Sequence, residues 1–194
     1  MNASRTHAAL LKLCTAAMMT AIVFVGNFLR VTMPVPLGGV TSFTLANILC
    51  ALSGILLGPW YGFMAAGLGS FLYDCTNPVY AIEAPITLLT KGMYGLVAGL
   101  VLCYLFKNRR EKYGPQVAAA FCAAAGYMLA YCVKNYFYNA SVQGLTEPVQ
   151  RWALVVSKMP ATVVNGLIAV IFAPILGVAL MKALRAAHLE RILG

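Results

Sequence analysis

Glu83, Thr87 and Lys91 recur at four-residue intervals, and Lys158, Thr162 and Asn165 follow a spacing of four and then three. Residues three or four apart share a face of a helix. Each set is therefore a polar stripe, one with an acid, a hydroxyl and an ammonium, the other with an ammonium, a hydroxyl and an amide. Tyr127, Tyr131, Lys134 and Asn135 form a third group, and Asp74, Asn77 and Tyr80 a fourth just before Glu83. Carboxylates and amides bind polar groups, lysines receive carboxylates or phosphates, and tyrosines offer rings to stack on. The expectation is a binding site for a small polar molecule, made by Asp74, Asn77, Tyr80, Glu83, Thr87, Lys91, Tyr131, Lys134, Asn135, Lys158, Thr162 and Asn165. Lysines exceed acids among them, which favours a ligand carrying a carboxylate or phosphate. Glu83 and Lys91 are candidates for an ion pair or for ligand contact.

The same groups admit one catalytic reading, in which Asp74 or Glu83 works as an acid–base residue beside a lysine in a small membrane enzyme. Other chemistry is missing from the chain. His7 and His188 both lie in terminal segments, no His, Cys and acid cluster has metal-ligand spacing, and no glycine-rich phosphate loop ends in lysine. No metal and no cofactor is expected, and the chain does not hydrolyse ATP by itself.

Long apolar runs position these groups. Of 194 residues, 61% are hydrophobic and 10% charged, against roughly 25% charged in soluble domains, and the mean hydropathy is +0.82. Lipid is the solvent such a chain suits. A span takes ~20 apolar residues to cross a ~30 Å core. Spans are expected from Ala8 to Leu29, Phe43 to Leu57, Trp60 to Tyr73, Ala84 to Phe106, Val117 to Phe137 and Trp152 to Met181. The stretch Phe43 to Tyr73 would reach about 46 Å as one helix, and Gly58-Pro59 divides it into two short spans in a tight hairpin. The fold class is all-α, a polytopic membrane protein of six transmembrane helices forming a single membrane-embedded domain over residues 1–194.

Nine basic residues (Arg5, Lys12, Lys107, Arg109, Arg110, Lys112, Lys182, Arg185 and Arg191) fall on one side of this arrangement, and only Arg30 and Arg151 in the opposite loops. The positive-inside bias makes both termini cytoplasmic and accounts for the net charge of +9 without nucleic acid. The polar stripes then share the outer half of the bilayer, where ionisable residues are candidates for function. Five of the six cysteines (Cys14, Cys50, Cys103, Cys122 and Cys132) lie in apolar runs and are expected to pack between helices, and Cys75 stands at a span end. Small residues four apart let helices approach closely. Gly62, Ala66 and Ser70, and Gly95 and Gly99, are expected to pack internally, whereas Ala17 and Ala21 leave a smooth face for either an internal or an external helix.

The run Leu56-Leu57-Gly58-Pro59-Trp60-Tyr61-Gly62, followed by Ala66, Gly69-Ser70, the Asp74-Cys75-Thr76-Asn77-Pro78 loop, Glu83 and Lys91-Gly92, resembles the substrate-binding S components of energy-coupling factor (ECF) vitamin transporters. The likeness covers residues 8 to 106, and the second half shares the general layout. The resemblance implies a subunit that captures a water-soluble vitamin or related micronutrient from outside. It implies docking on a transmembrane T subunit that carries two ATPases, through an Ala-x-x-x-Ala motif falling on Ala17 and Ala21, with toppling in the membrane. It also implies that the loop Val31 to Thr41 acts as a lid, and that the membrane is the plasma membrane of a prokaryote. Riboflavin, thiamine, folate, biotin, pantothenate, cobalamin and queuosine precursors all remain open as substrates. The competing readings are the membrane enzyme and a self-sufficient small-molecule transporter.

Overall fold

The computed structural model describes residues 3–34 and 40–187. Residues 188–194, with His188 and Arg191, lie outside the described residues, as does the centre of the expected lid loop, residues 35–39. Helix α1 spans Ala3–Gly26, strands β1 and β2 span Arg30–Pro34 and Val40–Thr44, α2 spans Ala46–Leu57, and α3 spans Pro59–Thr76. A single 3-10 turn leads into α4, Ala84–Leu100, which ends in a π turn at Val101–Leu105. Helix α5 runs through Tyr113–Val142 and α6 through Pro148–Ala186. Six helices among the described residues match the expected count.

Four of them, α1, α4, α5 and α6, are long and apolar enough to cross a bilayer. Helix α2, with 12 residues, reaches only about 18 Å, but it does not meet lipid. Every residue of it except Leu49 is buried, and α1, α3, α4 and α6 pack around it. The expected span from Phe43 therefore begins three residues late, because Phe43 and Thr44 belong to β2 instead. Gly58 makes the expected break between α2 and α3. Its φ of 82° and ψ of −174° fall in a region essentially reserved for glycine, and Pro59 then starts α3, where its missing N–H costs nothing.

Lipid tails are as apolar as leucine, so membrane helices associate by close packing rather than by hiding from water. Here glycines provide the closeness. A methyl group at Gly54 would land on the Gly95 carbonyl, one at Gly95 on the Gly62 carbonyl, and one at Gly99 on the backbone at Pro59. Helices α2, α3 and α4 thus cross backbone to backbone, with the Ser53 hydroxyl donating to the carbonyls of Cys50 (2.7 Å) and Gly62 (3.1 Å). Of the five cysteines expected to pack internally, only Cys50 is buried, while Cys14 and Cys122 are exposed and Cys103 and Cys132 half-buried. A thiol is solvated by lipid about as well as by protein, so an apolar run does not reveal which way it faces.

The feature absent from the expected spans is the β-ribbon. Its strands pair antiparallel, Arg30 opposite Thr44 and Thr32 opposite Ser42. Val-Thr-Ser-Phe-Thr has the β-branched and aromatic content of a strand, and Pro34 sits at a strand end, where proline is tolerated. Alternation along the pleat gives the ribbon two unlike faces, Arg30, Ser42 and Thr44 on one and Val31 and Phe43 on the other. Helix α1 ends where the Asn27 side chain folds back. Its amide donates to the Val23 carbonyl (2.8 Å), and its oxygen accepts from Arg30 Nη2 (2.7 Å).

Candidate functional site

At the end of the bundle opposite the two termini, the β-ribbon lies across the mouths of α3, α4, α5 and α6 and encloses a cavity of ≈ 50 Å³. The walls come from every one of these elements. Helix α3 contributes Asp74, the following loop Tyr80 and Glu83, α4 Thr87, Thr90 and Lys91, α5 Tyr127, Tyr131 and Lys134, α6 Thr162 and Asn165, and the ribbon Arg30, Thr41, Ser42 and Thr44. Nine of the twelve residues expected from the sequence line the cavity. Asn77, Asn135 and Lys158 are not among its lining residues. The Asn77 amide bonds the Tyr73 hydroxyl at 3.3 Å, Asn135 Nδ2 donates to the Tyr131 carbonyl at 2.8 Å, and Lys158 is buried at 2% exposure.

Two ion pairs organise the walls. Lys134 Nζ is 2.7 Å from Glu83 Oε2 and donates to the Thr87 hydroxyl at 3.3 Å. The guanidinium of Arg30 lies 4.6 Å from the ring centroids of both Tyr73 and Tyr80 and places Nη1 3.9 Å from Asp74 Oδ1. Of the two roles open to Glu83 and Lys91, an ion pair with each other does not form. Eight residues of helix separate them by about 12 Å, so each finds a partner on another element. Lys91 donates to Asn47 Oδ1 on α2 and lies 5.0 Å over the ring of Tyr127. Tyr127 in turn packs between Tyr94 (5.2 Å) and Tyr131 (5.6 Å).

Local backbone choices aim these groups. Helix α5 loosens into a π segment at Lys134–Asn139, a distortion that shifts the register of the following side chains and is frequent at functional sites. Asn165 ties the ribbon to α6, accepting from the Thr44 amide at 2.9 Å and donating to the Ser42 carbonyl at 2.7 Å. Behind the ribbon an apolar groove of ≈ 450 Å³, walled by Phe28, Leu29, Val31, Phe43, Leu45 and Ile168, adjoins the cavity and shares Arg30, Thr44 and Asn165 with it.

Sequence reasoning passed over Arg30, Asn47, Thr41, Ser42, Thr44, Thr90 and Tyr127 as site residues. Arg30 was visible only as a loop charge on the outer side, and Tyr127 as an aromatic wall. The threonines of the ribbon carried a signal in their β-branched alternation, unread within a loop marked by proline and glycine. Trp152 is exposed and packs on Tyr136, and the Tyr138 hydroxyl reaches the Ile82 carbonyl at 2.5 Å.

The arrangement can hold a small polar molecule by hydrogen bonds, charges and ring faces. A family model described as "ECF-type riboflavin transporter, S component" matches residues 8–183. No curated protein matches the chain. Among solved structures, one described as the S component of a bacterial ECF transporter superposes with a TM-score of 0.61 at 19% identity, over 91% of this chain and 96% of that one. At that identity the likeness speaks for a common fold.

Proposed function

We propose, from the premise that this chain belongs to the ECF-type riboflavin transporter S-component family, that its outer cavity captures a flavin-type vitamin for import. The chain is the substrate-binding subunit of an ECF-type importer, and the family is one of transport subunits, not enzymes. The observation that carries the choice of site is the convergence of four helices and the ribbon on one enclosed polar cavity. Polar groups aimed inward at one depth of a membrane bundle are how such proteins hold substrates.

A flavin needs a ring face, hydrogen-bond partners for its imide edge and hydroxyl-rich chain, and an apolar bed for its methylated end. Tyr127 and Tyr131 offer the first, Asp74, Thr87, Thr162 and Asn165 the second, and the adjoining groove beside Phe43 and Ile168 the third. The ribbon must lift to admit it. A vitamin-sized pocket takes roughly 300 Å³ or more, far above the ≈ 50 Å³ enclosed here. Asp74 and Glu83 each lie against a cation, which suits anchoring better than acid–base catalysis.

Delivery inward runs through a T subunit driven by two separate ATPases in the plasma membrane of a prokaryote. Ala17 and Ala21 support this, since both are exposed on the outward face of α1 and leave a smooth surface for a partner helix. The test is titration of the detergent-purified chain with riboflavin, read by quenching of flavin fluorescence, with mass spectrometry of any molecule that co-purifies. One flavin per chain is expected, with binding weakened about 5–150-fold in Tyr127→Ala, the loss of a ring contact worth about 1–3 kcal/mol. A different vitamin released in stoichiometric amount would replace the ligand and leave the subunit's role standing.

A further inference from the structure

The charges on the cavity do not balance among the described residues, and we infer that Lys91 receives an oxyanion on the substrate, the phosphate of a phosphorylated flavin or the carboxylate of another vitamin. The inference rests on the binding role above but not on the flavin. Three cations line the cavity, Arg30, Lys91 and Lys134, against two carboxylates, Asp74 and Glu83. Glu83 is matched by Lys134 at 2.7 Å and Asp74 faces Arg30 at 3.9 Å. Lys91 is left over. It is 5% exposed, and among the described residues no carboxylate lies within 4 Å of it.

Its hydrogen-bond and ring partners among the described residues are neutral, the Asn47 oxygen and the Tyr127 ring. Lys158, 2% exposed and also without a carboxylate partner, adds like charge to the same end of the bundle. No other acid among the described residues supplies a counter-charge. Of the three remaining acids, Glu111 pairs with Arg185 at the opposite end, Glu147 is exposed at the start of α6, and Glu190 lies outside the described residues. Val35-Pro36-Leu37-Gly38-Gly39, within the expected lid, contains no ionisable side chain.

An ammonium kept from water is costly unless an anion and hydrogen bonds compensate it. Asn47, 0% exposed, has a second unmet need there, because its Nδ2 has no partner while its oxygen is taken by Lys91. An oxyanion at Lys91 supplies the missing negative charge and brings a second acceptor oxygen to this corner of the site.

The test is equilibrium binding of neutral–anionic pairs that share a scaffold (riboflavin and FMN, pantothenol and pantothenate, nicotinamide and nicotinate) to the purified full chain in detergent. In at least one pair the anionic member is expected to bind at least about tenfold tighter than its neutral partner, in keeping with one charge-assisted contact. Lys91→Met abolishes that preference and Lys91→Arg keeps it, with thermal unfolding of both variants verifying the fold. The inference is overturned if the neutral member of every binding pair binds equally well, if Lys91→Met retains the preference, or if no anionic member binds. The flavin reading fails separately, when riboflavin and FMN both fail to bind while pantothenate or nicotinate succeeds.

Discussion

Asn165 is the residue on which the closure of the cavity most directly depends, since a single amide accepts from one ribbon backbone group and donates to another. Each such hydrogen bond contributes a net ~0.5–1.5 kcal/mol, so Asn165→Ala should favour ribbon opening by about 1–3 kcal/mol. Hydrogen exchange at Thr44 is expected to rise while the amides of α2 stay protected, and bound ligand should leave about 5–150-fold faster, the same energy expressed as a rate. Unchanged exchange would mean that the pairing of β1 with β2 holds the ribbon without help from α6. The sequence made Asn165 visible as a polar group on a helix face with Lys158 and Thr162. Its partner could not be read there, because Ser42 and Thr44 lie more than a hundred residues away and on no periodic pattern. The same holds for Glu83 and Lys91, whose shared face was legible and whose actual partners, Lys134 and Asn47, come from other helices.

At the scale of elements, the crossing of α2, α3 and α4 depends on the absence of side chains. Gly54→Ala and Gly95→Ala each drive a methyl group into a facing backbone carbonyl, and backbone cannot rotate aside as a side chain can. Overpacking of this kind costs about 1–3 kcal/mol or more, and thermal unfolding in detergent should register each as a clear loss. Gly114, near the start of α5, has nothing within 4 Å of where its Cβ would sit, so Gly114→Ala is expected to be neutral or to stabilise by up to ~1 kcal/mol. Equal gains at all three positions would mean that helix propensity outweighs close approach. Spacing in the sequence marked Gly62 and Gly95 as packing positions. Their partner Gly54 lies on α2, outside the stripes that spacing marked in α3 and α4.

For the whole molecule, the proposed docking surface is the exposed face of α1. Ala17 and Ala21 are exposed, whereas Ala16, one position away, is buried at 6% exposure. Ala17→Trp and Ala21→Trp should therefore reduce uptake in cells at least about tenfold by blocking close helix approach, with ligand binding by the purified chain retained. Ala16→Trp should impair both, because the added ring has to enter the bundle. If the two exposed variants lost binding as well, the face would be part of the internal packing and docking would have to be sought elsewhere.

What the sequence by itself determined are the properties that add up along a chain. Hydropathy placed it in the membrane and divided it into six helices, the basic loops set its orientation, Gly58-Pro59 located the turn between the two short ones, and periodicity picked out nine of the residues that line the cavity. These follow from local quantities, the transfer energy of each segment and the angle between successive side chains. The tertiary structure decided how the faces meet. It brought Arg30 from a loop into the site between Tyr73 and Tyr80, laid an antiparallel ribbon across the cavity, matched Glu83 with Lys134, and left Lys91 with no carboxylate within 4 Å among the described residues. A helical period states which residues share a face but not which helix that face will meet, and the pairing of buried charges is settled only by that meeting.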